Sequence, residues 1–164
     1  MKEIILTTGQ ITMVDDCDYP ILSKRSWRTD KDGYVISGSS KNNKRYNIRM
    51  HRFLLGLTDP LILSDHKDRN KLNNQRDNLR SCNKSENQKN KTPRGRSKYL
   101  GVMYQKYHVL TKHGLIDHEY IIARIRVNGK YMKLGTFKNE EEAAFAYDRA
   151  ALKYHGEFAN LNFK

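Results

Sequence analysis

Along the last third of the chain, hydrophobic and polar positions alternate with a regularity that the earlier part lacks. From Tyr120 to Val127, Ile121, Ala123, Ile125 and Val127 fall on one face of an extended segment, and Tyr120, Ile122, Arg124 and Arg126 on the other. Asn128-Gly129 follows, a strong hairpin signal because a two-residue type I′ turn needs positive φ at both central positions. That turn fixes a register in which Arg126 lies opposite Tyr131 and Arg124 opposite Lys133, placing all four on one surface. Tyr99 to Gln105 supplies a third strand, and Lys106 to His118 reads as a long loop. The period then changes from 2 to 3.6. Asn139 and Glu142 form a capping box, Glu140, Glu141 and Glu142 suit the positive end of a helix dipole, and Ala143, Ala146, Tyr147, Ala150, Ala151 and Tyr154 make an apolar stripe that ends at Gly156. Residues 99–164 are thus expected to form a three-stranded antiparallel sheet packed on one helix, with the opposite sheet face bare and basic.

The first part reads as short strands, Glu3 to Thr7, Gln10 to Val14, Gly33 to Gly38 and Arg45 to Met50, with turns at Asp30-Lys31-Asp32-Gly33 and Ser39 to Lys44. Trp27 and Tyr34 are expected in its core. His51 to Gly56 ends in a Gly stop before the turn at Asp59-Pro60. The apolar run Leu61-Ile62-Leu63 leads to Asp65 and His66 at the end of a short strand, and the Asn-rich, charged KDRNKLNN reads as a loop. Asn78-Leu79-Arg80 is a second extended piece, and Asn83 with Glu86 caps a helix that carries Asn87 one turn in. Strand, loop, strand and helix would bring Asp65, His66 and Asn87 around one point. The fold class is α+β.

A carboxylate and an amide oxygen are hard ligands suited to Mg²⁺ or Mn²⁺, and a neighbouring His can take a proton from an attacking water. One metal and one base suffice for phosphodiester hydrolysis. The recurrence of DH, NNxxxNL and EN at these spacings resembles the HNH nucleases with the ββα-metal fold, in particular the phage and intron homing endonucleases whose last motif residue is Asn. The resemblance covers residues 50–90. It implies a phage or mobile-element origin, His66 as general base, Asp65 and Asn87 as metal ligands, and Asn78 as the middle residue that braces the loop. Arg69 stands where relatives often carry Gly, so a positive φ there would strain the loop.

With 164 residues and a formal net charge of +13, the chain suits one ordinary domain or two small ones and seeks a polyanion. Double-stranded DNA is the expected partner. No stretch approaches a membrane-spanning run, and the opening MKEIILTTGQ has too short an apolar core for a signal peptide, so a cytoplasmic location is expected, that of the host if phage-encoded. Cys17 and Cys82 offer no CxxC pair for structural zinc, and a reducing compartment disfavours a disulfide. Arg52 and Arg80 have the fork that matches phosphate, with solvated arginines the alternative. His51 is open between a phosphate contact and local packing. His108, His113 and His118 fall in the long loop, where a solvated role outweighs a second metal site. The arm around Arg94, Arg96 and Lys98 could track a backbone or enter a minor groove, or be only a solvated linker.

YLGV, LGTF, EEAAFAYDRAALKYHG and NLNF resemble the AP2 DNA-binding domain over nearly all of residues 99–163. The resemblance implies a sheet that reads the major groove, with Tyr147, Asp148, Ala150 and Ala151 structural. Leu100 and Met103 replace common arginines and Lys133 an aromatic, so base preference does not carry over. The resulting reading divides the chain into a nuclease domain over 1–92, a basic linker over 93–98 and an AP2-like domain over 99–164. It makes the chain a monomeric, site-preferring DNA endonuclease using Mg²⁺ or Mn²⁺, with Arg124, Arg126, Tyr131 and Lys133 on DNA and no protein partner implied. The alternative is a DNA-binding regulator without catalysis. An RNA-binding accessory role is disfavoured, since the aromatics do not line up as a base-stacking platform.

Overall fold

A computed structural model describes residues 1–41, 44–90, 92–93 and 95–163. The chain divides into two compact units, Met1–Asn87 and Gln88–Lys164. The architecture is α+β, with small antiparallel sheets and few helices.

In the first unit, β1 (Lys2–Ile5) pairs with β2 (Ile11–Val14), and β3 (Arg28–Thr29), β4 (Val35–Lys41) and β5 (Lys44–Arg49) form a second sheet in that order. The short helix α1 (Tyr19–Leu22), absent from the sequence reading, begins with Pro20 near its N-terminus, where a missing N–H costs nothing. The helix α2 (Met50–Leu54) follows β5 directly. A third pair, β6 (Leu63–His66) and β7 (Leu79–Cys82), carries the helix α3 (Lys84–Asn87) packed against both strands. One apolar core serves the whole unit: Ile4, Leu6, Val14, Leu22, Trp27, Val35, Met50, Leu54 and Leu79 are buried together. The N-terminal strands and β7 therefore share the same apolar interior. Tyr34 departs from expectation. It is only half-buried and stands outside this core.

The second unit holds β8 (Val102–Thr111), β9 (Gly114–Val127) and β10 (Lys130–Phe137) in the order β10-β9-β8. Asn128 and Gly129 take φ of 50° and 81°, and Arg126 faces Tyr131 while Arg124 faces Lys133, the register the turn chemistry predicts. The stretch 106–118 is not a loop. Its residues continue both strands in register, from Lys106 opposite Glu119 to Thr111 opposite Gly114. The turn is short, and alternation of bulky residues lets the ladder run on past the sheet.

The helix α4 (Glu140–His155) packs on β9 and β10, capped by the Asn139 Oδ1 accepting from the Glu142 N–H at 2.8 Å. Its small residues Ala143, Ala144, Ala150 and Ala151 are buried, but Tyr154 is exposed, a correction to the expected stripe. Asp148 and His155 take the inward positions instead, because 100° per residue aligns them with Ala144 and Ala151. Asp148 accepts from the Asn162 and Phe163 N–H groups at 2.9 Å each, while the Asn162 side chain accepts from the Leu100 N–H at 2.6 Å and donates to the Leu100 carbonyl at 3.2 Å. Gly101 sits against the Tyr147 ring with φ +75°, and a Cβ there would lie 1.9 Å from Tyr147 Cδ2. Among the described residues no helix is long and apolar enough to cross a membrane.

Candidate active site and DNA-binding face

Asp65 and His66 are adjacent at the end of β6, both buried, as a strand held by β7 and covered by α3 requires. The Asn83 and Glu86 capping box that starts α3 is formed in both directions, with Asn83 N–H to Glu86 Oε2 at 2.8 Å and Glu86 N–H to Asn83 Oδ1 at 2.9 Å. Asn87 ends that helix, half-buried. The loop between the strands is tied by Asn78, whose Nδ2 donates to Asp68 Oδ1 at 2.9 Å and to the Asn73 carbonyl at 2.8 Å, while its Oδ1 accepts from the Asp68 N–H at 3.0 Å. Burial pushes the Asp68 carboxyl up, but the hydrogen bonds from Asn73, Asn70 and Asn78 outweigh it and hold the group below the usual range. Arg69 has φ +66°, the strained conformation that a Gly would accept.

His66, 3% exposed, is held below the ordinary imidazole range by burial, against an opposing hydrogen bond to Asn74. Its tautomer follows from a directed chain. The Thr12 hydroxyl donates to the Leu72 carbonyl at 2.7 Å, so its oxygen accepts from Asn74 Nδ2 at 2.9 Å. Asn74 Oδ1 is thereby turned to His66 Nε2 at 3.4 Å and needs a proton there. In the Nε2–H tautomer that this contact suits, the acceptor nitrogen of His66 is Nδ1.

Two further side chains surround His66. The His51 ring stands edge-on to it with centroids 5.1 Å apart, and burial followed by the neighbouring positive groups His66, Arg49 and Arg52 lowers His51 to about 3. The buried His51 Nδ1 has no hydrogen-bond partner among the described residues. Tyr34 lies 5.1 Å from His51 and 6.2 Å from His66, with Lys71 Nζ 4.3 Å and the Arg49 guanidinium 4.9 Å from its ring centroid. Thr12, Tyr34 and Asn74 were missed as site residues. Thr12 and Tyr34 sit in a strand-rich segment with no motif, and only the three-dimensional pairing of β2 with the loop brings Thr12 to Asn74.

The arginines divide by what already occupies them. Arg80 donates through Nε and Nη2 to Asp65 Oδ2 at 3.1 and 2.7 Å, an ion pair with both side chains nearly buried. Arg52 clamps the carbonyls of Ile62 and Asp59 at 2.6 and 2.7 Å, closing the turn before β6. Arg96 forms a two-pronged pair with Glu119 at 2.7 and 2.8 Å and lies 3.9 Å over the Tyr104 ring, while Lys98 lies 5.0 Å over Tyr99. Arg94 lies outside the described residues. On the hairpin, Arg126, Tyr131 and Lys133 are exposed and Arg124 half-buried, with the Arg124 guanidinium 4.1 Å over Tyr131.

The donor chemistry near Asp65 fits a hard ion. A carboxylate on β6 and an amide on the facing α3 suit a cation that keeps several waters, and among the described residues no three His, Cys, Asp or Glu side chains converge as zinc would ask. Cys17 and Cys82 are both free thiols.

An uncharacterized HNH endonuclease of Acanthamoeba polyphaga mimivirus is 30% identical over 159 residues, covering 94% of this chain and 75% of that protein. An AP2-like ethylene-responsive transcription factor of Arabidopsis thaliana is 34% identical over 97 residues, and the ethylene-responsive transcription factor WRI1 of the same plant 43% over 70 residues. These matches cover 52% and 43% of this chain but 28% and 14% of the plant proteins. Among solved structures, that of DNA binding and cleavage by the HNH homing endonuclease I-HmuI is similar over 54% of this chain and 50% of its own, at 25% identity and a TM-score of 0.36. No protein-family model matches the chain.

Proposed function

The chain belongs to the HNH endonuclease family, and on that premise we propose that it is a site-preferring, divalent-metal-dependent DNA endonuclease of homing type. The first unit cuts and the second, AP2-like, holds the DNA. The observation that carries this reading is the buried His66 beside Asp65, biased to its neutral form and oriented through Asn74.

In this reading His66 Nδ1 takes the proton of the attacking water, as a neutral imidazole must to act as a base. Asp65 and Asn87 would hold Mg²⁺ or Mn²⁺, and the ion, when bound, stabilises charge on the departing oxygen. Asn78 keeps the loop beside His66 in shape through its three hydrogen bonds. Arg80 holds one oxygen of Asp65 and so aims the carboxylate. Lys71 and Arg49, gathered on the Tyr34 ring that neighbours His66, would give an incoming phosphate positive charge to meet. Arg124, Arg126, Tyr131 and Lys133 lie on the DNA side of the second unit, and tethering the two units raises the local concentration of the cutting site at one locus.

The test is supercoiled plasmid incubated with and without Mg²⁺ or Mn²⁺. Open circles mean nicking, linear product means two cuts, and binding with neither would make the chain a DNA-binding regulator instead. Asp65→Ala is expected to raise the metal concentration needed for half-maximal rate; an unchanged value removes Asp65 from the ligand set.

A further inference from the structure

We propose that Thr12, in the N-terminal hairpin, is a positioning residue of the nuclease site, fixing the tautomer of His66 through Asn74. The inference rests on the nuclease reading only for its kinetic consequence. Thr12 and Asn74 are each 0% exposed, so neither has water as an alternative partner. Asn74 is held on every side: its N–H donates to the Met13 carbonyl at 2.8 Å, and its Nδ2 donates to the Lys71 carbonyl at 3.2 Å as well as to Thr12. The Met13 N–H in turn bonds the Leu72 carbonyl at 2.8 Å, so β2 acts as a template for the loop. An amide that could flip would offer His66 either a donor or an acceptor. The Lys71 carbonyl and the Thr12 hydroxyl, already committed to Leu72, both ask Asn74 for a donor and together remove that choice, with the Thr12 contact the shorter at 2.9 Å against 3.2 Å.

The test compares Thr12→Val, which keeps the shape and loses the hydroxyl, with Thr12→Ser, which keeps the hydroxyl. Two-bond ¹⁵N–¹H spectra of the full chain are expected to place the His66 proton on Nε2 in the parent and in Thr12→Ser, and on both nitrogens in Thr12→Val. Cleavage by Thr12→Val should fall by about 10–100-fold in kcat with little change in KM, the usual worth of an orienting partner of a working His. An unchanged tautomer in Thr12→Val overturns the proposal, as does a Thr12→Ser that behaves like Thr12→Val. The spectra need no turnover, so a parent that cuts nothing would sink the nuclease reading without deciding this one.

A separate observation concerns the far part of β8 and β9. We infer that this ribbon extends the DNA-binding face by about 17 Å beyond the sheet, at 3.4 Å per residue over 106–111. Alternation puts Gln105, Tyr107 and Val109 of β8 and Ile116, His118 and Tyr120 of β9 on the face that carries Arg124 and Lys133. The strip is continuous, so that aromatics not expected from the sequence to line up do align here: Lys133 Nζ lies 5.5 Å from the Tyr120 ring, Tyr120 is 5.8 Å from Tyr107, and Tyr107 stacks on His118 at 4.9 Å. Among the described residues this face has no carboxylate. Asp117 and Glu119 point to the other side, paired with His108 and Arg96 at 2.6 and 2.7 Å. The occupant is the same duplex that the arginines hold, since the strip runs on from them without a break, its sugars and groove wall packed on the rings.

This rests on the DNA-binding reading of the hairpin. Tyr107→Ala with His118→Ala in the full chain is expected to weaken specific binding by about tenfold and to shorten the hydroxyl-radical footprint at one end. Leu110→Ser with Leu115→Ser, on the opposite face, should change neither. An unchanged footprint and affinity for the first variant overturns the extension, as would a loss confined to self-association in sedimentation. Arg124→Ala with Arg126→Ala separates the readings: if it too leaves binding intact, the hairpin face itself is not on DNA.

Discussion

The two units bury polarity to different extents. In the first, Thr12, His51, Asp65, His66 and Asn74 are all inside, and most of their partners are other side chains or loop carbonyls. In the second, Arg126, Tyr131 and Lys133 stay at the surface, and an interior of alanine, Val102, Ile122, Ile125 and Tyr147 takes in fewer polar groups, among them Asp148 and His155 on the helix and Asn160 after it. Under the proposed function the first unit's His66 takes a proton, and a dry, fixed setting for it costs stability in desolvation. A face proposed to meet phosphate and base edges needs only a rigid ladder behind it.

That contrast breaks first at His66. Replacing it by Ala is expected to lower single-turnover cleavage by about two to four orders of magnitude with DNA binding nearly intact. Wild-type rates would remove it from the chemistry. Next, Gly101→Ala should destabilise the second unit by about 3 kcal/mol, since its Cβ would enter the Tyr147 ring at a positive φ. Thermal unfolding should show one unit melting early while the other holds; a single unshifted transition would mean that the contact relaxes. Arg124→Ala should cost about 1–3 kcal/mol on the preferred site and far less on random duplex. Equal losses on both would reduce that face to a backbone grip.

Smaller effects belong to the first unit. His51 sits at about 3 when folded, against an ordinary value of 6.5, so below 6.5 the unfolded chain binds the extra proton. Stability from this group is present above 6.5 and is lost as pH falls toward 3, with a slope of at most about 1.4 kcal/mol per pH unit. His51→Gln should flatten that slope in denaturant titrations between pH 4 and 7; an identical slope would show that other groups set it. Arg69→Gly should stabilise by about 0.5–1 kcal/mol by relieving the left-handed backbone. A destabilised variant would assign the Arg69 side chain a compensating contact.

Local codes were the legible part. The type I′ turn at Asn128-Gly129 and the capping boxes at Asn83 and Asn139 each act within four residues, so the chain states them outright, whereas the left-handed position at Arg69 shows only through the family resemblance. What failed depends on distance. Spacing alone does not say which turn the helix presents, so it does not separate Tyr154 from the buried stripe, and the charged residues of 106–118 hide a cross-strand ladder. The guanidinium forks of Arg52 and Arg80 suit phosphate by chemistry alone, yet backbone carbonyls and Asp65 occupy them. Thr12 lies 62 residues from Asn74, and nothing near it in sequence hints at that partner.

The Asn162 amide that grips both the N–H and the carbonyl of Leu100 has a consequence for portability. It sews the start of the first strand to the tail that follows the last helix, so the folded module enters and leaves at one spot. A segment with coincident ends can be grafted into a host chain at a single surface turn without prying the host apart. The stitch also sets the minimum insert: a graft that stops short of Asn162 would strand the buried Asp148 carboxylate without its donors.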